Sequence, residues 1–213
     1  MTLFPRLTAV SLLALAATTH PAAQDVVVDP GPLVAARQLH DAGKYREAID
    51  AIGAEQAKRT LWARLLYLEA QSYERISERE NAARLYRELG GLDGPSWQSI
   101  GQSALELLNK QPKAAITAAT RAVSLDPAVP EAHYQLGLAL SVSQDFARAA
   151  SAFDTAAELD PQWAYARYYA GLAYSKVKRI DLMAARFEAF LKLAPDAPER
   201  PEVQSIMRTV RGR

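Results

Sequence analysis

Between residues 146 and 159 the apolar and small side chains fall at Phe146, Ala149, Ala152, Phe153, Ala156 and Leu159. That spacing of three and four puts them on one face of a helix. In the stretch before it, 131–143, the apolar Ala132, Leu136, Leu140 and Val142 and the small Gly137 and Ala139 predict a helix that meets neighbours on two sides. Asp145, between the two, is placed to cap the second helix, and Asp160-Pro161 ends the pair. Proline lacks the amide proton an interior helix position needs, but it is tolerated in the first turn of the helix that follows. No alternating run long enough for a strand lies between these segments.

The same pair recurs. Leu-Asp-Pro at 125–127, Leu-Asp-Pro at 159–161 and Leu-Ala-Pro at 193–195 are 34 residues apart, and Gly137 and Phe153 return as Gly171 and Phe187. Ala48, Ala82, Ala115, Ala149 and Met183 keep the same step except for 33 between 82 and 115. A fixed period of this length marks one supersecondary unit stacked on copies of itself, each burying a face its neighbour supplies. After Pro195, Pro198 and Pro201, the residues Val203, Ile206, Met207 and Val210 form a stripe suited to cap the last unit.

Residues 131–161, with Leu136-Gly137, Leu140, Ala149, Phe153, Ala156 and Pro161, resemble the tetratricopeptide repeat (TPR) family. The unit at 164–195 matches through Gly171, Tyr174, Phe187 and Pro195, with Met183 and Phe190 where the family prefers alanine. Residues 97–127 match through Trp97, Ile100-Gly101, Ala104, Ala115, Ala122 and Pro127, with about two extra residues at the turn between helices. Residues 63–92 match through Leu66, Ala70, Tyr73, Ala82 and Tyr86, and 31–58 more loosely through Leu39, Gly43, Tyr45, Ala48 and Ile52. The resemblance implies an all-α, right-handed solenoid of helical hairpins, about five TPR-like repeats over 31–197, with a capping helix in 198–213. At a close helix contact, Ala149 is expected to tolerate nothing larger.

The first 23 residues differ in character: a short leader with Arg6, an apolar run from Leu7 to Ala17, then Pro21-Ala22-Ala23. This is the layout of a secretory signal peptide, and the run is too short for the roughly 20 residues of a membrane span. The expected location is the periplasm or beyond, after cleavage near Ala23, with 24–30 as a flexible arm. The chain has no cysteine, which removes disulfides, thiolate metal sites, thiol nucleophiles and lipoprotein acylation. Lys and Arg total 25 against 24 Asp and Glu, and losing Arg6 makes the balance even. An even balance gives no electrostatic case for nucleic acid or an anionic membrane.

Catalytic patterns are missing. His40 and His133 fall in different repeats, no Gly-x-Ser-x-Gly or phosphate-binding glycine loop occurs, and Glu69 and Glu74 have no histidine beside them. No enzyme activity, cofactor or metal is expected. In TPR proteins the first helix of each pair lines a concave groove. The resemblance carries that role to Arg37, Arg64, Tyr67, Gln71, Gln98, Gln102, Glu131, Tyr134, Leu138, Tyr165, Tyr168, Leu172 and Ser175. Two readings of the tyrosines stay open: aromatic anchors for an extended peptide, or covers for their own repeats. Glu131 is expected to be a tolerant, solvated lining residue. The expected function is a non-enzymatic periplasmic scaffold that binds a protein or peptide in this groove. The alternative is a structural accessory subunit of an envelope enzyme or of a secretion or assembly complex.

Overall fold

A computed structural model describes residues 31–53 and 59–211. The expected leader at 1–23 and arm at 24–30 lie outside the described residues. Those described form eleven helices and no strand. They pair into five antiparallel hairpins: α1 (Gly31–Asp41) with α2 (Tyr45–Gly53), α3 (Arg59–Arg75) with α4 (Arg79–Gly90), α5 (Pro95–Leu108) with α6 (Pro112–Leu125), α7 (Pro130–Val142) with α8 (Phe146–Leu159), and α9 (Ala164–Lys176) with α10 (Ile180–Leu193). The last helix, α11 (Arg200–Arg211), packs on α10, burying Val203 and Met207. Successive hairpins stack through α4 on α5, α6 on α7 and α8 on α9, giving a helical solenoid.

One turn geometry makes every hairpin. Gly43, Ser77, Lys110, Gln144 and Lys178 all take the left-handed conformation, with φ of 77°, 63°, 59°, 63° and 59°. In each, the amide of the next residue donates to a carbonyl five positions back, from Lys44, Glu78, Gln111, Asp145 and Arg179, at 2.8 to 3.0 Å. This Schellman closure satisfies carbonyls that the end of a helix leaves unpaired. Only the first hairpin has the glycine that such a position favours. The other four hold a side chain there, at a cost of about 1 kcal/mol each. Asp145 caps α8 by accepting from the Arg148 amide at 3.3 Å, and Pro95, Pro112 and Pro130 begin their helices.

The turn positions step by 34, 33, 34 and 34, so the third hairpin carries no extra residues at its turn. It is Ser103, not Gly101, that stands where the fourth and fifth hairpins have Gly137 and Gly171. Ser103 faces its own second helix, with Oγ donating to the Ala115 carbonyl at 2.9 Å. Gly101 faces the preceding hairpin instead, where an added Cβ would lie 2.6 Å from the Tyr86 carbonyl oxygen. Within the fourth and fifth hairpins the close contact is glycine on aromatic: a Cβ at Gly137 would sit 2.7 Å from the Phe153 ring, and one at Gly171 2.6 Å from Phe187. Ala48, Ala82, Ala115 and Ala149 are fully buried at the contacts the repeat predicted.

These contacts give opposite expectations for two glycine changes. Gln144→Gly should raise stability by about 1 kcal/mol, because it relieves a left-handed residue whose side chain is exposed. Gly137→Ala should lower it by about 1–3 kcal/mol through overpacking on Phe153. Urea melts of both variants check the turn and the packing together; shifts of the same sign would contradict this description.

Candidate functional site

The odd-numbered helices curl until non-neighbours touch. On α5 the buried residues are Ser96, Ser99, Ile100, Gly101, Ser103 and Ala104, small except for Ile100; α5 packs on α7, and side chains of α3 reach α7. Arg64 Nε donates to Glu131 Oε1 at 2.7 Å, and the Tyr67 hydroxyl donates to Gln135 Oε1 at 2.7 Å. Gln135 in turn donates to Ser103 Oγ at 3.3 Å. The first hairpin then meets the last ones. Arg37 donates to Asp160 Oδ2, and its guanidinium lies 4.8 Å from the centre of the Trp163 ring. Arg64 reaches the same Asp160 oxygen at 3.2 Å. Burial opposes ionisation of Asp160, but Arg37 and Arg64 hold its carboxyl below the usual range.

A second cluster completes the seam. Arg75 of α3 donates to Glu199, to the Tyr45 hydroxyl at 2.8 Å and to the Tyr165 hydroxyl at 3.2 Å, while Tyr165 donates to Glu199 Oε2 at 2.6 Å. His40 sits edge-on to Tyr45 and Tyr165 and pairs with Ser72 at 2.9 Å. The Ser72 proton goes to the Leu68 carbonyl, so His40 Nδ1 is the donor in that pair. Pro198 lies against Gly43, 3.3 Å from where a Cβ would be.

The residues read from the sequence as a groove therefore separate into three groups. Tyr67, Tyr134, Tyr165 and Tyr168 are 2%, 4%, 2% and 7% exposed, and Glu131 is 1% exposed. Glu131 is not a solvated lining residue; it takes the charge of Arg64, with Arg37 4.0 Å away. Arg37 is buried in the seam as well, while Arg64, Gln71, Leu138, Leu172 and Ser175 are half-buried. Gln98 and Gln102 are exposed and belong to another face, where they border a separate cleft with Arg87 and Arg121. The cause is the turn spacing: counted back from the fourth hairpin, the third hairpin's equivalents of Glu131, Tyr134 and Leu138 are Trp97, Ile100 and Ala104.

The aromatic residues stack on each other rather than face outward. Tyr134 stacks on Trp163 at 4.4 Å and meets Phe153 edge-on at 5.5 Å, and Tyr168 packs against Phe190 at 5.1 Å. Sequence reading missed the roles of His40, Asp41, Arg75, Asp160, Trp163 and Glu199, because each faces groups from remote repeats. Asp160 was legible only as a helix stop. Glu69 and Glu74 do have a burial effect: desolvation of their carboxyl ends raises both, though Glu74 is exposed as a residue and accepts from the Tyr86 hydroxyl. Among the described residues no group of His, Asp and Glu could hold a metal ion. His133 contacts the Pro127 carbonyl at 2.9 Å.

Beside the seam a cleft of about 840 Å³ opens between α1, the α6–α7 and α8–α9 connections and the end of α10. Val34 and Leu159, 44% and 41% exposed, are apolar side chains on its wall. Asp41, at the end of α1, lines it too and is 7% exposed. Burial pushes the Asp41 carboxyl up to about 7; Glu199 and Asp160 add to the rise, while Arg37 and Arg75 oppose it. Burial, with Arg75 and Arg37, pushes the neighbouring His40 down to about 3.

Residues 130–163 match the sequence profile of the tetratricopeptide repeat. No curated protein matches the chain. Among solved structures, TTC0263, a thermophilic TPR protein of Thermus thermophilus, superposes with a TM-score of 0.58 at 16% identity, over 86% of this chain and 98% of that one. The TPR2AB domain of yeast Sti1, solved as a complex with pHSP90, superposes with a TM-score of 0.51 at 13% identity, over 82% of each chain. Residues 130–163 are thus similar to a tetratricopeptide repeat, and the packed helical hairpins resemble those of TPR solenoids.

His40 and Asp41 have opposite pH signatures. His40 is neutral in the fold, so its contribution is present above about pH 6.5 and is lost as pH falls toward about 3. Asp41 holds its proton in the fold, so its contribution is present below about pH 4 and is lost as pH rises through about 7. Asp41→Asn removes the second effect alone. Relative to the parent, the variant should lose about 1.4 kcal/mol per unit as pH falls between about 7 and about 4. Chemical denaturation at several pH values checks this, and a constant difference would show that Asp41 titrates normally.

Proposed function

We propose that this protein is a non-enzymatic interaction scaffold that is exported to the bacterial periplasm, binds a protein or peptide, and serves an envelope complex. The cleft carries this reading: about 840 Å³ in volume, it gathers the exposed apolar Val34 and Leu159 with charged groups on one concave wall. The repeat architecture supports it, since stacked hairpins present side chains from several repeats to one ligand. The pHSP90 complex of the Sti1 domain is an instance of a TPR solenoid meeting a partner. The charged groups at the seam pair with one another rather than activate a nucleophile, in keeping with a scaffold.

The groove tyrosines enter this reading differently from the lining arginines. Arg37 and Arg64 form part of the cleft wall, whereas Tyr67, Tyr134 and Tyr168 are buried between helices and do not line it. That burial favours the second reading, a structural accessory subunit of an envelope enzyme or of a secretion or assembly complex. No described helix is long and apolar enough to cross a membrane.

Two measurements test the proposal. Val34→Asp combined with Leu159→Asp should abolish affinity capture of a partner from an envelope extract, with the melting temperature unchanged because both side chains are exposed. Capture that survives with the fold intact would favour the accessory-subunit reading. For the location, mass spectrometry of the exported protein should find a mature N-terminus near Gln24. A chain that retains Met1 would contradict export with cleavage.

A further inference from the structure

The seam contains more negative than positive side chains. Its connected network holds three arginines, Arg37, Arg64 and Arg75, and four carboxylates, Asp41, Glu131, Asp160 and Glu199. Three of the carboxylates have arginine partners: Glu131 with Arg64, Asp160 with Arg37 and Arg64, and Glu199 with Arg75. Asp41 has none. Its Oδ1 is buried without a hydrogen-bond partner, and its side chain lines the cleft. His40, the adjacent imidazole, is neutral and cannot supply the missing charge.

Position within α1 sharpens the imbalance. Asp41 is the last residue of the helix, where the helix dipole is negative and a cation is the favoured neighbour. A buried carboxylate there must either keep its proton or acquire a positive partner. The groups that face it are Arg37 on its own helix, Arg75 from α3, Asp160 from the α8–α9 connection and Glu199 ahead of α11. Both arginines are already engaged by Asp160 and Glu199. The remaining charges on the cleft wall, Lys192 and Asp196, are exposed and cancel.

We propose that the cleft binds a lysine or arginine side chain of a partner polypeptide, with its charge seated on Asp41 and its apolar neighbours on Val34 and Leu159. This rests on the scaffold reading and names the chemistry of its partner. A bare ion or small amine would leave most of a cleft of about 840 Å³ unfilled and Val34 and Leu159 exposed, whereas a peptide covers both. Binding of the cation takes the proton from Asp41, so association strengthens as pH rises and releases a proton below neutrality.

The test is calorimetric titration of the full chain with two blocked pentapeptides, one with a central lysine between leucines and one with glutamine in its place. At pH about 8 the lysine peptide should bind at least about tenfold more tightly than the glutamine peptide. Asp41→Asn should bring the two affinities together. This change keeps the shape of the side chain and resembles the protonated form already populated near neutrality, so the fold is retained; the melt recorded alongside verifies it. In the parent, lysine-peptide affinity should fall by up to about tenfold per pH unit below about 7. Equal affinities for the two peptides, no lysine-peptide binding at pH about 8, or an Asp41→Asn variant that still discriminates would each overturn the proposal. If the cleft variants still abolish partner capture while the pentapeptides are not distinguished, the basic-residue inference fails and the scaffold reading stands. If capture ignores the cleft variants, it is the scaffold reading that fails.

Discussion

The carboxylate of Asp160 receives both Arg37 and Arg64, and the arrangement of the whole solenoid depends on that meeting. Arg37 belongs to the first hairpin, Arg64 to the second, Glu131 to the fourth, and Asp160 to the connection into the fifth. Taking such groups out of water costs several kcal/mol per charge, so the cluster persists only where geometry lets each ion find a counterion. Part of that geometry is the reach from α3 to α7, where Arg64 meets Glu131 and Tyr67 meets Gln135. Gly43 provides another part at the other end, where its missing Cβ admits Pro198 to 3.3 Å. Apolar packing builds the hairpins and their nearest-neighbour stacking, while charge pairing joins hairpins that are not neighbours.

That division governs the surface available for recognition. In an open solenoid the inner helices would present Tyr67, Tyr134 and Tyr168 to a ligand. In this chain Tyr67 packs on Tyr86, Tyr134 on Phe153 and Trp163, and Tyr168 on Phe190, and a cleft opens at the seam. Its chemistry comes from what the closure leaves over: the exposed apolar Val34 and Leu159, and the buried Asp41 carboxyl, whose Oδ1 has no hydrogen-bond partner among the described residues. The closure and the proposed recognition thus draw on the same set of charges.

Nearest-neighbour structure was legible in the sequence because the 34-residue period records it directly. Ala149 and Gly137 must be small to admit the next helix and Phe153, and the prolines mark where one hairpin hands over to the next. The misplacement of Gln98 and Gln102 came from aligning Gly101 with Gly137. Both glycines face a close contact, but Gly101 meets the previous hairpin and Gly137 its own. The seam was illegible for a different reason. Arg37 and Asp160 are 123 positions apart, and a repeat pattern specifies how each unit meets the next, not how the first meets the last. The exposed or buried state of Glu131 hangs on that same long-range closure, so local patterning assigned it to the solvated side.

A double-mutant cycle on Arg37→Ala and Asp160→Ala tests the closure most directly, since the two residues share no local element and can couple only if the first hairpin meets the α8–α9 connection. A desolvated pair should give a coupling free energy of at least about 1.5 kcal/mol, and each single change should destabilise by about 1–3 kcal/mol, since Arg64 still pairs with Asp160 when Arg37 is lost and Glu131 lies 4.0 Å from Arg37 when Asp160 is lost. A coupling near zero, of the kind about 0–0.5 kcal/mol that exposed or separated charges show, would contradict a solenoid closed by this network.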